Sequence, residues 1–208
     1  YISDVRVGDV RGSKEDSGAD EYLSVTGDNL QRVAYNLYRN HPDIFERILK
    51  RLRRSVPGVE TVTPRRTEDG RLLLQFGDAA FRDPFSDRYV SDGTLKMFAY
   101  LVLLYDPHPH PLLCVEEPEN QLYPTLLWEL AEEFRAYADR GGQVFVSSHS
   151  PDFLNAAQLD EVFWLVKENG HTTIHRARDN TQIAAFIHEG DKMGYLWKQG
   201  FFTGANPQ

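Results

Sequence analysis

The apolar positions along this chain change period several times, and each change marks an element. Leu112 to Val115 is a short continuous apolar run bounded by prolines. That pattern predicts a strand covered on both faces, as in a parallel sheet under helices. After it, Pro124 opens an amphipathic pattern carrying Leu126, Leu127, Leu130, Phe134 and Tyr137, closed by Gly141-Gly142. Proline in the first turn and glycine past the last are the start and stop marks of a helix. A second buried strand is expected over Gln143 to Ser147, adjacent to the first and parallel to it. Upstream, Ser91 can cap a strongly apolar helix containing Leu95, Phe98, Ala99, Leu101, Val102 and Leu104.

The remaining elements are smaller. Ile2 to Val10 reads as a strand, and the polar, Gly/Ser-rich stretch from Arg11 to Asp20 as a mobile loop. Asp28 is placed to cap a helix over Leu30 to Tyr38, and Pro42 to start a second one running to about Arg54. Strand-like runs at Val59 to Thr67 and Arg71 to Phe76 flank Asp69-Gly70, a hairpin signal. Residues 77–90 read as loop. A second hairpin is expected across Asn169-Gly170, between Glu161 to Lys167 and Thr172 to Arg178, and two short helices over Thr181 to His188 and Lys192 to Gln199. The expected organisation is an N-terminal strand and loop (1–27), a helix–hairpin subdomain (28–90) and a core (91–208). The fold class is α/β, a mainly parallel sheet flanked by helices, with a small α+β segment before it.

Composition narrows the function without naming it. The 208 residues, 41% hydrophobic and 26% charged, are enough for a real core. The net charge of −8 argues against nucleic-acid binding by the chain as a whole. The single cysteine, Cys114, cannot form an internal disulfide, so a reducing, cytoplasmic setting is expected. No apolar run approaches the length of a membrane span.

Candidate chemistry gathers at the end of the first strand. Glu116 and Glu117 stand side by side where ligands bind in open α/β sheets. Neighbours on a strand point to opposite faces, so one acid can hold a hard cation while the other aims at a water molecule. They can equally be solvated loop residues. The cluster Arg47, Lys50, Arg51, Arg53 and Arg54 reads as a solvated helix face, with a phosphate contact as the alternative. His108 and His110, set among prolines, read as a rigid surface loop before a metal pair.

Three segments then stand in a telling order: Val90-Ser-Asp-Gly-Thr-Leu-Lys96, Leu112-Leu-Cys-Val-Glu-Glu-Pro-Glu119 and Val144-Phe-Val-Ser-Ser-His-Ser-Pro151. Together they resemble the C-terminal half of ABC-type and AAA-type ATP-binding proteins of the branch containing SMC-like, RecF-like and OLD-like proteins. The resemblance implies a P-loop NTPase fold, with residues 91–208 as the C-terminal lobe. It implies that Ser91, Asp92 and Gly93 form the signature motif, which contacts the γ-phosphate held by a second subunit. Glu116 falls at the Walker B acid that supports Mg²⁺, where the family commonly has aspartate. Glu117 falls at the acid that polarises the attacking water, Asn120 in the D-loop, and His149 at the switch histidine. ATP and Mg²⁺ are the implied cofactors and a homodimer the implied assembly, with DNA or an effector protein as possible further partners.

No G-x-x-x-x-G-K-[ST] motif occurs in the 208 residues. The expectation is therefore the C-terminal lobe of a longer ATPase, inactive by itself, whose phosphate-binding (Walker A) lobe lies upstream of Tyr1. Two other readings compete. One is a non-catalytic dimerisation or docking lobe of the same fold. The other is a metal-dependent hydrolase built on Glu116, Glu117 and Glu119.

Overall fold

The computed structural model describes residues 2–3 and 22–205. Most of the expected N-terminal strand and loop falls outside them. Two compact units divide the chain between Ser147 and Ser148.

The first unit is organised around one helix that is buried on every side. Two helices come first, α1 (Leu30–Asn40) and α2 (Pro42–Ser55). An antiparallel sheet follows, β2 (Val59–Arg66), β3 (Leu72–Asp78) and β4 (Phe85–Ser86), and then α3 (Asp92–Leu104). Every residue of α3 from Thr94 to Leu104 is buried. A helix that is apolar all round can be satisfied only as a core element. Helices α1, α2 and α4 (Pro124–Asp139) pack against it. Phe98 sits edge-to-face with Phe45 of α2 and Phe76 of β3, at centroid distances of 6.3 and 5.9 Å. That geometry adds to the burial itself.

The parallel sheet is small: β1 (Ile2–Ser3), β5 (Leu112–Glu116) and β6 (Gln143–Ser147), in the order β1-β5-β6. Strands β5 and β6 run parallel in register from Leu112 opposite Gln143 to Glu116 opposite Ser147, as expected. The expectation of cover on both faces is corrected. Leu113 and Val115 are buried, but Leu112 and Phe145 on the other face are 37% and 57% exposed. An apolar run reports what a strand can bury, while the layer that buries it comes from elsewhere.

Smaller differences have local causes. The N-cap of α1 is Asn29, not Asp28, because Asp28 accepts the Ser24 hydroxyl instead. The stretch at 77–90 contains β4, which pairs with β3 through Phe76 and Phe85. Both hairpins form, with Gly70 at φ +85° in the first turn and Asn169 and Gly170 at +48° and +79° in the second. Of the basic cluster, Arg51 pairs with Glu133, Arg53 with Glu46 and Arg54 with Glu129, and Arg47 lies over the Tyr105 ring. These four cations serve the fold and its surface, in line with the solvated-face reading.

The second unit carries α5 (Pro151–Ala156), the hairpin β7 (Phe163–Glu168) and β8 (His171–Arg176), α6 (Thr181–His188) and α7 (Met193–Lys198). Val162, Ala177, Ile183, Met193, Leu196 and Phe202 form its core. Gly194 lets α7 touch α5, since a Cβ there would lie 2.1 Å from the Pro151 carbonyl oxygen.

Candidate functional site

Strand β5 ends at Glu116, and the chain turns immediately. Glu117 has φ +40°, a left-handed conformation uncommon for a residue with a side chain. Its N–H donates to Ser147 O of β6 at 2.9 Å. Its carbonyl accepts from Asn120 N at 3.2 Å, and its Oε2 from Asn120 Nδ2 at 3.1 Å. The two acids are thus separated by a strained turn and not by the pleat of one strand. Glu116 is exposed at the strand end, opposite Ser147, while Glu117 is half-buried and aimed by Asn120. Backbone strain of this kind gathers at functional sites, where the surroundings over-determine it.

The signature segment meets the same turn. Ser91 caps α3: its Oγ accepts from Thr94 N at 3.2 Å and shares a hydrogen bond with Thr94 Oγ1 at 2.7 Å. Asp92 is exposed in the first helical turn. Gly93 makes a close approach here, since a Cβ there would stand 3.0 Å from Gln121 O. Gln121 is itself left-handed, at φ +68°. An open cleft of about 520 Å³ lies here, lined by Ser91, Gly93, Gln121 and Tyr123 together with the C-terminal end of α2.

The structure therefore places Ser91, Asp92, Gly93, Glu116, Glu117 and Asn120 in the first unit, with the start of α3 lying against the turn that follows β5 at Gly93 and Gln121. His149 follows Ser147 in the chain and belongs to the second unit, exposed, just before Ser150 caps α5 through Phe153 N. One residue of this neighbourhood has no assigned role in the sequence reading. Lys96 is 3% exposed, and its Nζ donates to Asn120 O at 2.8 Å. The signal was present: a lysine inside an otherwise apolar helix must find partners when buried.

Among the described residues, no three His, Cys, Asp or Glu side chains cluster to hold a metal. This disfavours a free-standing metal centre built from Glu116, Glu117 and Glu119.

A family model described as "AAA domain, putative AbiEii toxin, Type IV TA system" matches residues 10–155. The chain belongs to this AAA-domain family. No curated protein matches its sequence. Among solved structures, it resembles one described as "Structural biochemistry of ATP-driven dimerization and DNA stimulated activation of SMC ATPases", with a TM-score of 0.52 and 16% identity. That match covers 74% of this chain and 95% of the other. An Smc head domain from Pyrococcus furiosus, with an extended coiled coil and bound to the C-terminal domain of ScpA, gives a TM-score of 0.54 at 13% identity. There the match covers 74% of this chain and 40% of that one. At such identities the likeness establishes a shared fold. With the family match, it makes this an α/β domain of the nucleotide-binding ATPase type. No helix among the described residues is long and apolar enough to cross a membrane.

Proposed function

We propose that this chain is the C-terminal lobe of a Mg²⁺-dependent ATPase, supplying the catalytic acid and the signature motif. One observation carries the proposal. Glu117 is held in a left-handed turn at the C-terminal edge of the parallel sheet, with its carboxylate fixed by Asn120. A solvated loop acid has no need of that constraint.

In this reading Glu117 Oε orients a water molecule and accepts its proton as the water attacks. Glu116, exposed beside it, holds the magnesium side of the site. Bound MgATP would supply the electrophilic phosphoryl group and the charge neutralisation around it. The first turn of α3, at Ser91, Asp92 and Gly93, presents backbone N–H groups to the γ-phosphate of a nucleotide on a second subunit. His149, in the chain following β6, corresponds to the switch histidine of the resemblance.

The phosphate-binding loop comes from a lobe outside these 208 residues, and that lobe covers the open face of the sheet. The half-exposed Phe145 and Leu112 support this, as does β6, an edge strand among the described residues. The assembly is a cytoplasmic homodimer with nucleotide at its interface, in a DNA-related or defence process that involves DNA or an effector protein. The SMC ATPases described by ATP-driven dimerization and DNA-stimulated activation offer the model for that arrangement.

The test measures ATP turnover and sedimentation on the full-length protein. Glu117→Gln should cut turnover by about 10²–10⁴-fold, the span typical of a positioned acid or base, and trap a nucleotide-bound dimer. Glu116→Gln should weaken Mg²⁺ dependence as well, and His149→Ala should slow hydrolysis while leaving binding intact. Parent-level turnover in Glu117→Gln would favour a non-catalytic docking lobe of the same fold.

A further inference from the structure

We infer that Lys96 is a positioning residue that holds Glu117 in its working orientation, acting through Asn120. The inference rests on the ATPase reading above and adds to it a residue that cannot touch nucleotide. At 3% exposure, Lys96 can act only through its neighbours.

The links are short and consecutive. Lys96 Nζ donates to Asn120 O at 2.8 Å, and the ammonium lies 5.8 Å from the Tyr100 ring one turn along α3. Asn120 in turn donates from N to Glu117 O at 3.2 Å and from Nδ2 to Glu117 Oε2 at 3.1 Å. The turn between these residues contains two left-handed positions, Glu117 at φ +40° and Gln121 at +68°. Such backbone persists only where something holds it. A charged donor on a backbone carbonyl is among the stronger hydrogen bonds available for that purpose.

Lys96 also lies one helical turn from Gly93, whose Cα backs onto Gln121 O. The start of α3 therefore lies close against the turn carrying the acid at Gly93 and is hydrogen-bonded to it through Lys96. Losing the ammonium would free the turn to relax, and a displacement of about 1 Å at a reacting group can cost on the order of 10²-fold in rate.

The experiment is a double-mutant cycle on the full-length protein, with kcat and KM for MgATP as readouts. Lys96→Met should lower kcat about 10–100-fold and move KM less than about twofold, because the lost interaction shapes the acid and not the binding surface. In a Glu117→Gln background the same substitution should cost no further rate, since the residue it positions is already disabled. A general structural role would instead multiply the two losses. Should Lys96→Met fail to fold, Lys96→Gln carries the same two readouts, as its shorter, uncharged amide replaces the ammonium that donates to Asn120 O at 2.8 Å. Parent kcat in a folded Lys96→Met, or losses that multiply in full, overturns the assignment of Lys96 alone. A parent protein without Glu117-dependent turnover overturns the ATPase reading, and the role of Lys96 with it.

Discussion

Glu117 holds a side chain where glycine would be at ease, and this has a measurable consequence. A left-handed residue with a Cβ costs roughly 1–2 kcal/mol, while glycine loses about 0.5–1 kcal/mol of unfolded-state entropy. Glu117→Gly should therefore leave stability unchanged or raise it by up to about 1.5 kcal/mol, whereas Glu116→Gly, on the strand, should lower it by about 0.5–1 kcal/mol. Urea denaturation of both variants decides the matter; equal losses would mean that the turn at Glu117 is unstrained. Asp106 gives a second prediction at this scale. Burial pushes its carboxyl above the ordinary 3.8, with the His108 N–H opposing the shift. A raised folded-state value means that the fold binds the proton more tightly than the unfolded chain does. The contribution is thus fully present below the ordinary value and is lost as pH rises through the higher one. Asp106→Asn keeps an Oδ1 acceptor for His108 N and removes the titration. Its stability relative to the parent should be greater near pH 7 than near pH 3, in denaturation runs at both.

At the scale of elements, helix α2 shows that cations alike in sequence differ in weight. Arg51 Nε pairs with Glu133 Oε1 at 3.2 Å and donates to Tyr105 OH at 3.1 Å, and Tyr105 OH donates to Glu133 Oε2 at 3.0 Å. The Glu133 side chain is only 6% exposed, so Arg51→Met would strand a buried carboxylate. The expected loss is about 3 kcal/mol, the lower end for a broken buried pair, because Arg51 itself is partly in water. Arg54, one turn on, faces Glu129 at 3.9 Å across a largely exposed gap. Arg54→Met should cost less than about 0.5 kcal/mol. Thermal melting of the two variants separates these outcomes, and similar shifts would refute the network. From the sequence, the two arginines were indistinguishable members of one basic run.

For the whole molecule, the open face of the parallel sheet sets the expectation. Phe145, 57% exposed, should tolerate replacement in the isolated chain. Phe145→Thr is expected to change stability by less than about 0.5 kcal/mol, whereas Leu113→Ala, at 0% exposure, should cost about 2–5 kcal/mol. In the full-length protein the order should reverse for function. There Phe145→Thr should weaken turnover by disturbing the lobe that covers it, measured against the parent at matched folded fraction. Unaltered turnover would leave that face without a partner.

The elements themselves were legible because their signals are local. Pro124 and Gly141 bracket α4, Ser91 caps α3, and Asn169-Gly170 turns the second hairpin, each through backbone preferences that need no distant partner. The order of the signature, acidic and serine–histidine segments also resembles that of nucleotide-binding ATPases, a likeness carried by the sequence alone. What stayed hidden depends on contacts between residues far apart in the chain. Glu117 and Glu116 look like consecutive strand positions until Ser147 O and Asn120 draw the first into a left-handed turn. Lys96 looks like the polar edge of a motif until all of α3 from Thr94 onward is found buried. Whether an apolar strand is covered on one face or two was equally out of reach. Local sequence sets what a segment can form and bury, and only the packed chain decides which groups meet it there.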